Sequence, residues 1–137
     1  MTKKTWREKF DDPRPHEVKP APVTIAGMKA GQVMMVPTPR LIDAFLRALP
    51  AGAMMDVKTM RAELARQFQA EVTCPIYTGY HLRTVAEAAY EAFEQGLPLA
   101  GITPFWRIID TKTPTARRLA CGLDFIRARR REEGLPA

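Results

Sequence analysis

The chain has 137 residues, of which 46% are hydrophobic and 26% are charged, a composition typical of a single folded unit. It contains no apolar run of about 18 residues or more, which argues against a transmembrane helix and a membrane partner. The formal net charge is +6, and arginine outnumbers lysine by 14 to 7, so nucleic acid is the leading class of partner, although a solvated basic surface fits the same charge.

We expect a cytoplasmic protein that needs neither a metal nor another cofactor. The N-terminal stretch MTKKTWREKFDD is charged and lacks the apolar segment of a signal peptide. Cys74 and Cys121 form no CxxC pair and fit a reducing compartment. His16 and His81 are far apart in sequence, which argues against a zinc site.

Residues 1–37 are predicted to form an extended N-terminal arm, because five prolines interrupt them and forbid a long helix. Within this arm, Trp6 and Phe10 are spaced by four residues. That spacing predicts a short amphipathic helix that docks both rings onto the body of the protein. Residues 32–35 are predicted to form a short strand.

Two helices are predicted after the arm. Thr38 is a favourable N-cap, and the apolar residues after it recur on one face of a helix that ends at the turn of residues 50–52. Asp56 is predicted to cap a second helix, whose inner face carries Met60 and Leu64.

The remaining sequence predicts a loop, two further helices and a strand. Residues 71–80 contain a proline and a glycine and are interpreted as a loop, followed by a third helix over about 80–95. The apolar stretch 102–109 predicts a short strand, and residues 122–133 predict the last helix. The expected fold is therefore mainly α: a winged helix-turn-helix-like domain with a short strand pair over residues 38–137, preceded by the arm.

Four short stretches carry a resemblance to a known family. In chain order they are PAGAMMDVKTMRAEL (50–64), HLRTVAEA (81–88), ITPFWRII (102–109) and GLDFIRARRREEG (122–134). Together they resemble the C-terminal DNA-binding domain of the O6-alkylguanine-DNA alkyltransferases and of the related alkyltransferase-like proteins. The resemblance covers roughly residues 38–134, and it implies double-stranded DNA as the partner.

The resemblance implies that Arg83 is the arginine finger of this family, a side chain that enters the base stack and fills the gap left by a flipped nucleotide. A guanidinium suits this role, because it is flat, can stack and can hydrogen-bond to the orphaned base. The alternative is that Arg83 is one more exposed arginine on a helix.

At ITPFWRII the resemblance implies an active site that has lost its reactive groups. Pro104 and Arg107 match the proline and arginine of the family's Pro-Cys-His-Arg motif, whereas Phe105 and Trp106 replace the cysteine and the histidine. Neither ring can supply a thiolate, so we expect no enzymatic transfer of an alkyl group. These residues and Val57 are predicted either to line a pocket for a lesion base or to plug it.

Further DNA contacts are expected on the first helix of the helix-turn-helix. Val57 stands where the family has a tyrosine that presses on the DNA backbone. Phosphate contacts are therefore expected from Lys58, Thr59 and Arg61, at or near the N-terminal turn of that helix. Arg83 and Arg107 complete the predicted set of DNA-binding residues.

These observations lead to three hypotheses. The first is a non-catalytic DNA-binding protein of the alkyltransferase-like type, which recognises DNA including O6-alkylguanine DNA and hands lesions to a repair protein. The second is a protein-interaction module on the inherited fold that has lost DNA binding. The third, and weakest, is an enzyme that uses Cys74 as a relocated nucleophile.

Overall fold

The computed structural model describes residues 4–137; of the predicted arm, residues 1–3 lie outside this range. The described chain is mainly helical and carries a small three-stranded sheet. The α-helices and strands are, in chain order, α1 (Trp6–Phe10), β1 (Glu17–Pro20), β2 (Val33–Val36), α2 (Pro39–Ala48), α3 (Val57–Gln67), β3 (Val72–Thr73), α4 (Pro75–Glu94) and α5 (Gly122–Glu132). Three 3-10 turns lie between α4 and α5, at Leu99–Gly101, Phe105–Arg107 and Pro114–Arg118. No helix within residues 4–137 is long and apolar enough to cross a membrane.

The first helix docks as its sequence spacing predicts. Thr5 and Glu8 form a capping box, in which each side chain accepts a hydrogen bond from the other residue's backbone N–H at 3.1 Å. Glu91 of α4 accepts two further hydrogen bonds, from the backbone N–H groups of Trp6 and Arg7. Phe10 is buried in the main core. The predicted amphipathic helix is therefore confirmed, and it packs against α4.

The sheet is built largely from the segment that was expected to be an extended arm. Its order is β1-β2-β3, with β1 antiparallel and β3 parallel to β2. The predicted strand at 32–35 is confirmed, shifted by one residue, as β2. Met34 and Met35 of this strand are buried, and Met34 belongs to a small second core with Met28 and Cys74.

Helices α2 and α3 begin where their caps predict. The hydroxyl of Thr38 accepts a hydrogen bond from the backbone N–H of Leu41 at 3.2 Å, and the carboxylate of Asp56 accepts one from Thr59 at 2.6 Å. The predicted inner faces are buried in the main core, together with residues of α4 and α5.

The prediction of a loop over residues 71–80 is wrong. Residues Val72–Thr73 form β3, and α4 starts at Pro75, about five residues earlier than expected. Proline suits this first turn, because the N–H that it lacks would have no partner within the helix. The hydroxyl of Thr78 donates to the carbonyl of Cys74, and so supports the same turn from within.

The prediction of a strand over residues 102–109 is also wrong. The segment folds around the 3-10 turn Phe105–Arg107, and the backbone N–H of Ile109 donates to the carbonyl of Phe105 at 2.8 Å. Every residue from 102 to 109 except Arg107 is buried. Because apolar and polar residues do not alternate in this stretch, its sequence does not distinguish a strand from a turn in the core. The strand pair expected here is therefore not formed, and the three strands of the described chain lie elsewhere.

Candidate nucleic-acid interface

The N-terminal half of α4 presents an exposed face with two aromatic rings. Tyr80 is 70% exposed, and Ile76 and Tyr77 are 54% and 45% exposed. The opposite face of the helix is tied down by buried residues, among them Leu82 and Val85. Burial of that face fixes the direction of the exposed one, on which the rings of Tyr77 and Tyr80 lie 5.7 and 6.0 Å from that of His81.

A groove of about 430 Å³ runs beside this face. Its walls come from three elements that are distant in sequence: α1, α4 and the turn Pro114–Arg118. The lining residues are Trp6, Lys9, Ile76, Gly79, Tyr80, Arg83, Thr84, Pro114, Thr115 and Arg118. We call this cavity the α1–α4 groove.

Arg83 lies in the wall of the α1–α4 groove, and the protein uses only some of its hydrogen-bond donors. Its guanidinium lies 5.2 Å from the centre of the Trp6 ring, within the range of a cation–π contact. Its terminal nitrogen donates one long hydrogen bond, of 3.4 Å, to the carbonyl of Arg118. Its Nε lies 3.7 Å from the carboxylate of Glu87 and makes no hydrogen bond among the described residues. The side chain is thus held by Trp6, Glu87 and Arg118, and its Nε is buried, so only the terminal nitrogens of the guanidinium can reach a ligand in the groove.

The α1–α4 groove differs in charge from four further cavities of the described chain. Its lining includes three cations, from Lys9, Arg83 and Arg118, and no carboxylate. The four other described cavities each have at least one aspartate or glutamate in their walls. Glu87 partly compensates the charge of Arg83, but Lys9 and Arg118 have no carboxylate partner among the described residues, so the groove favours an anion.

The predicted contacts on α3 do not join this groove. Val57 and Thr59 line a different cavity, which also contains Asp56 and Asp110. The hydrogen bonds from Thr59 lower the pKa of Asp56 and keep it ionised, so a negative charge already occupies the N-terminus of α3. That charge opposes a phosphate at the same turn.

Lys58 and Arg61 are placed differently from each other. Lys58 is exposed at the start of α3. Arg61 is partly buried, and its Nε donates to the carbonyl of Thr73 in β3 at 3.4 Å. Neither residue lines the α1–α4 groove.

The aromatic pair at ITPFWRII lies inside the protein. Phe105 is completely buried, and its ring packs 5.3 Å from that of Trp106 and 6.1 Å from that of Phe125. Pro104 is buried as well. The space at Phe105 is filled by its own ring and its neighbours, whereas Pro104, Trp106 and Arg107 line a separate cavity of about 340 Å³.

Arg107 and Trp106 both bind the same carboxylate. The indole nitrogen of Trp106 donates to Glu133 Oε2 at 2.7 Å, and Arg107 Nε donates to Glu133 Oε1 at 2.8 Å. Arg107 also donates to the carbonyl of Leu49 at 2.6 Å. Its donors therefore serve the interior of the protein, and its side chain is mostly buried.

Burial and hydrogen bonding act in opposite directions on Glu133. Burial alone would raise the pKa of this carboxyl, but the hydrogen bonds from Arg107, Trp106 and the backbone of Gly52 outweigh it and lower the pKa to about 2. The group is ionised at neutral pH and ties the 3-10 turn at Phe105–Arg107 to the end of α5.

The two thiols lie in different surroundings. Cys74 is buried in the small second core. Cys121 precedes α5, where a helix terminus would favour a thiolate, but burial and then the charge of Glu87 raise its pKa to about 11. Residues 4–137 contain no group of three or more His, Cys, Asp or Glu side chains arranged to hold a metal ion.

Sequence reasoning identified one member of the groove, Arg83, and missed most of the others. Lys9, Tyr80 and Arg118 gave no local signal, because a lone lysine, tyrosine or arginine is common on any surface. The spacing of Trp6 and Phe10 predicted that both rings dock on the body of the protein, but it does not indicate which helix they contact. These residues meet only through contacts between distant segments.

No protein-family model, curated protein or solved structure matches this chain.

Proposed function

We propose that this chain is a non-catalytic protein of the alkyltransferase-like type that binds double-stranded DNA through α4 and the α1–α4 groove. One observation carries the proposal: three cations and an exposed tyrosine line one groove that holds no carboxylate. Phosphates bind to cations, and aromatic rings stack on bases that leave the helix. Arg83, the residue that the resemblance assigns to DNA insertion, is one of these three cations.

In this proposal α3 and α4 are the helix pair of a helix-turn-helix-like unit, and the exposed N-terminal half of α4 enters a DNA groove. Tyr77 and Tyr80 project from this half. The strand pair of a winged domain is not part of the proposal, because residues 102–109 form a turn. The basic surface beyond the groove, including Lys58, is available for additional phosphate contacts.

The proposal includes that this protein does not accept an alkyl group from DNA. Transfer to the protein needs an accessible thiolate. Phe105 and Trp106 have no thiol, Cys74 is buried, and the pKa of Cys121 is raised to about 11. On the resemblance alone, the proposed DNA includes duplexes with O6-alkylguanine, and a repair protein is the proposed second partner.

The test is a fluorescence anisotropy titration of two labelled duplexes, one with and one without O6-methylguanine, at about 50 and about 200 mM salt. We expect saturable binding that weakens with salt, and an Arg83→Ala variant that binds about tenfold or more weakly. The control is Arg66→Ala, which removes the same charge from an exposed arginine in the last turn of α3.

Two outcomes would contradict the proposal. One is the absence of binding at the lower salt concentration. The other is an equal loss of affinity in Arg83→Ala and Arg66→Ala, which would mean general attraction between a basic protein and phosphates. Mass spectrometry of the protein after incubation with the alkylated duplex should show no added methyl group, and a methyl adduct on Cys74 or Cys121 would overturn the non-catalytic assignment.

A further inference from the structure

The three cations of the α1–α4 groove differ in whether they have a carboxylate partner. Arg7, Arg14, Arg47 and Arg66 each form an ion pair with a nearby acid. Among the described residues, Lys9 and Arg118 form none. Arg83 pairs with Glu87 Oε2 at 3.7 Å, and the other carboxylate oxygen accepts a hydrogen bond from the backbone of Ala120.

The groove contains one indole ring, from Trp6, and one phenol ring, from Tyr80, and the two rings have different roles. Trp6 is partly buried, and its ring is approached by Lys9 Nζ at 4.2 Å and by the Arg83 guanidinium at 5.2 Å. Its contacts hold two of the cations at the groove. Tyr80 is 70% exposed, and so its ring offers a free face to a ligand.

The dimensions of the groove limit what it can hold. Its volume of about 430 Å³ lies within the range of about 300–1,000 Å³ that is usual for sites of small ligands. The unpaired charges of Lys9 and Arg118 favour an anionic occupant, and the tyrosine ring and the neighbouring Ile76 favour one with a flat apolar part. A phosphate joined to a nucleobase meets both requirements.

We infer that the α1–α4 groove binds a single nucleotide, with its phosphate at Lys9, Arg83 and Arg118 and its base against Tyr80. The inference rests on the proposed function in that the nucleotide is taken to belong to a DNA strand. A free nucleotide has the same chemistry and is the other possible source. Helix α1 is then one wall of the binding site, which gives the N-terminal segment a direct part in recognition.

The test is a titration of the 15N-labelled protein, followed by NMR, with deoxyguanosine monophosphate, with deoxyguanosine and with inorganic phosphate. We expect saturable shifts at the amides of Lys9, Gly79 and Tyr80, and an affinity for the monophosphate at least about tenfold above that for either fragment. Equal affinity for phosphate and monophosphate would overturn the inference, since it would mean a cation patch without base recognition. So would shifts that do not saturate or that lie away from the groove.

Matched variants separate the two parts of the site. Tyr80→Ala should abolish the advantage of the monophosphate over phosphate, whereas Tyr80→Phe, which keeps the ring, should retain it. Arg118→Ala should weaken monophosphate binding, and the control Arg127→Ala, on α5 and paired with Asp124, should not. Unchanged amide spectra outside the groove show that each variant is folded.

Duplex binding by the same variants distinguishes this inference from the proposed function. If Arg83→Ala impairs duplex binding but the monophosphate does not bind, the proposed function stands and the nucleotide site is wrong. If the monophosphate binds but no duplex does, the nucleotide site stands with a free nucleotide as its ligand, and the proposed function is wrong.

Discussion

Glu133 shows how a single carboxylate can hold together three segments that are distant in sequence. Its carboxylate accepts hydrogen bonds from the Trp106 indole, from Arg107 and from the backbone of Gly52. These donors come from segments up to 81 residues away in sequence. Charge-assisted bonds of this kind are among the stronger ones in proteins, so this carboxylate joins the buried turn, the loop after α2 and the end of α5.

This arrangement predicts a pH-dependent loss of stability. The folded-state pKa of Glu133 is about 2 and its ordinary value is 4.5, so its stabilisation is complete above about pH 4.5 and is lost as the pH falls towards 2. At pH 7 the shift is equivalent to about 3 kcal/mol in the free energy of unfolding. We expect Glu133→Gln to be less stable than the wild type by this order at pH 7, with the difference shrinking between about pH 4.5 and pH 2.

Urea unfolding at a series of pH values measures this difference. The control is Glu132→Gln, which alters the adjacent, exposed carboxylate paired with Arg129. An exposed pair of this kind contributes at most about 1 kcal/mol. Equal losses in the two variants, or a difference for Glu133→Gln that does not change with pH, would contradict the role assigned to Glu133.

At the scale of elements, the sequence predicted those helices whose ends carry their own signals. The N-caps Thr38 and Asp56 predict the starts of α2 and α3, and the spacing of Trp6 and Phe10 predicts α1. The start of α4 was missed because its N-cap, Cys74, makes no side-chain hydrogen bond.

The prediction of a strand at residues 102–109 was wrong for a different reason. Residues 102–109 are buried almost without interruption, and a uniformly apolar run fits a strand, a buried helix or a turn equally well. The outcome is decided by packing against α5 and by hydrogen bonds to Arg130 and Glu133, which follow later in the chain. Such long-range partners are invisible in the local pattern.

The docking of α1 is testable through its contact with α4. Glu91 accepts hydrogen bonds from the backbone N–H groups of Trp6 and Arg7, in the manner of a cap supplied by another helix. We expect Glu91→Ala to lose about 1 kcal/mol of this stabilisation and to speed amide hydrogen exchange in residues 6–10.

The same substitution should also weaken DNA binding, because Trp6 and Lys9 then no longer hold their places in the α1–α4 groove. Glu94→Ala, which removes an exposed carboxylate from the same helix, is the control for the change in charge. If exchange at residues 6–10 is as slow in Glu91→Ala as in the control, α1 is held by its buried ring alone.

At the scale of the whole molecule, the proposed function depends on where the positive charges are concentrated. The net charge of +6 was known from composition, but composition does not say whether the charge is spread over the surface or concentrated. The fold places Lys9 and Arg118 beside Arg83, although more than 100 residues separate the first two in the chain. The groove forms where α1 and the turn Pro114–Arg118 meet α4, so the local sequence could indicate Arg83 but not its neighbours.

The most direct measurement is the dependence of duplex affinity on salt concentration for the wild type and for Lys9→Ala, Arg83→Ala, Arg118→Ala and the control Arg66→Ala. Each cation that neutralises a phosphate contributes about 0.9 to the slope of log affinity against log salt. We predict that each of the three groove variants has a slope smaller by about this amount, and that Arg66→Ala has the slope of the wild type. Identical slopes in all five proteins would show that DNA does not contact the α1–α4 groove.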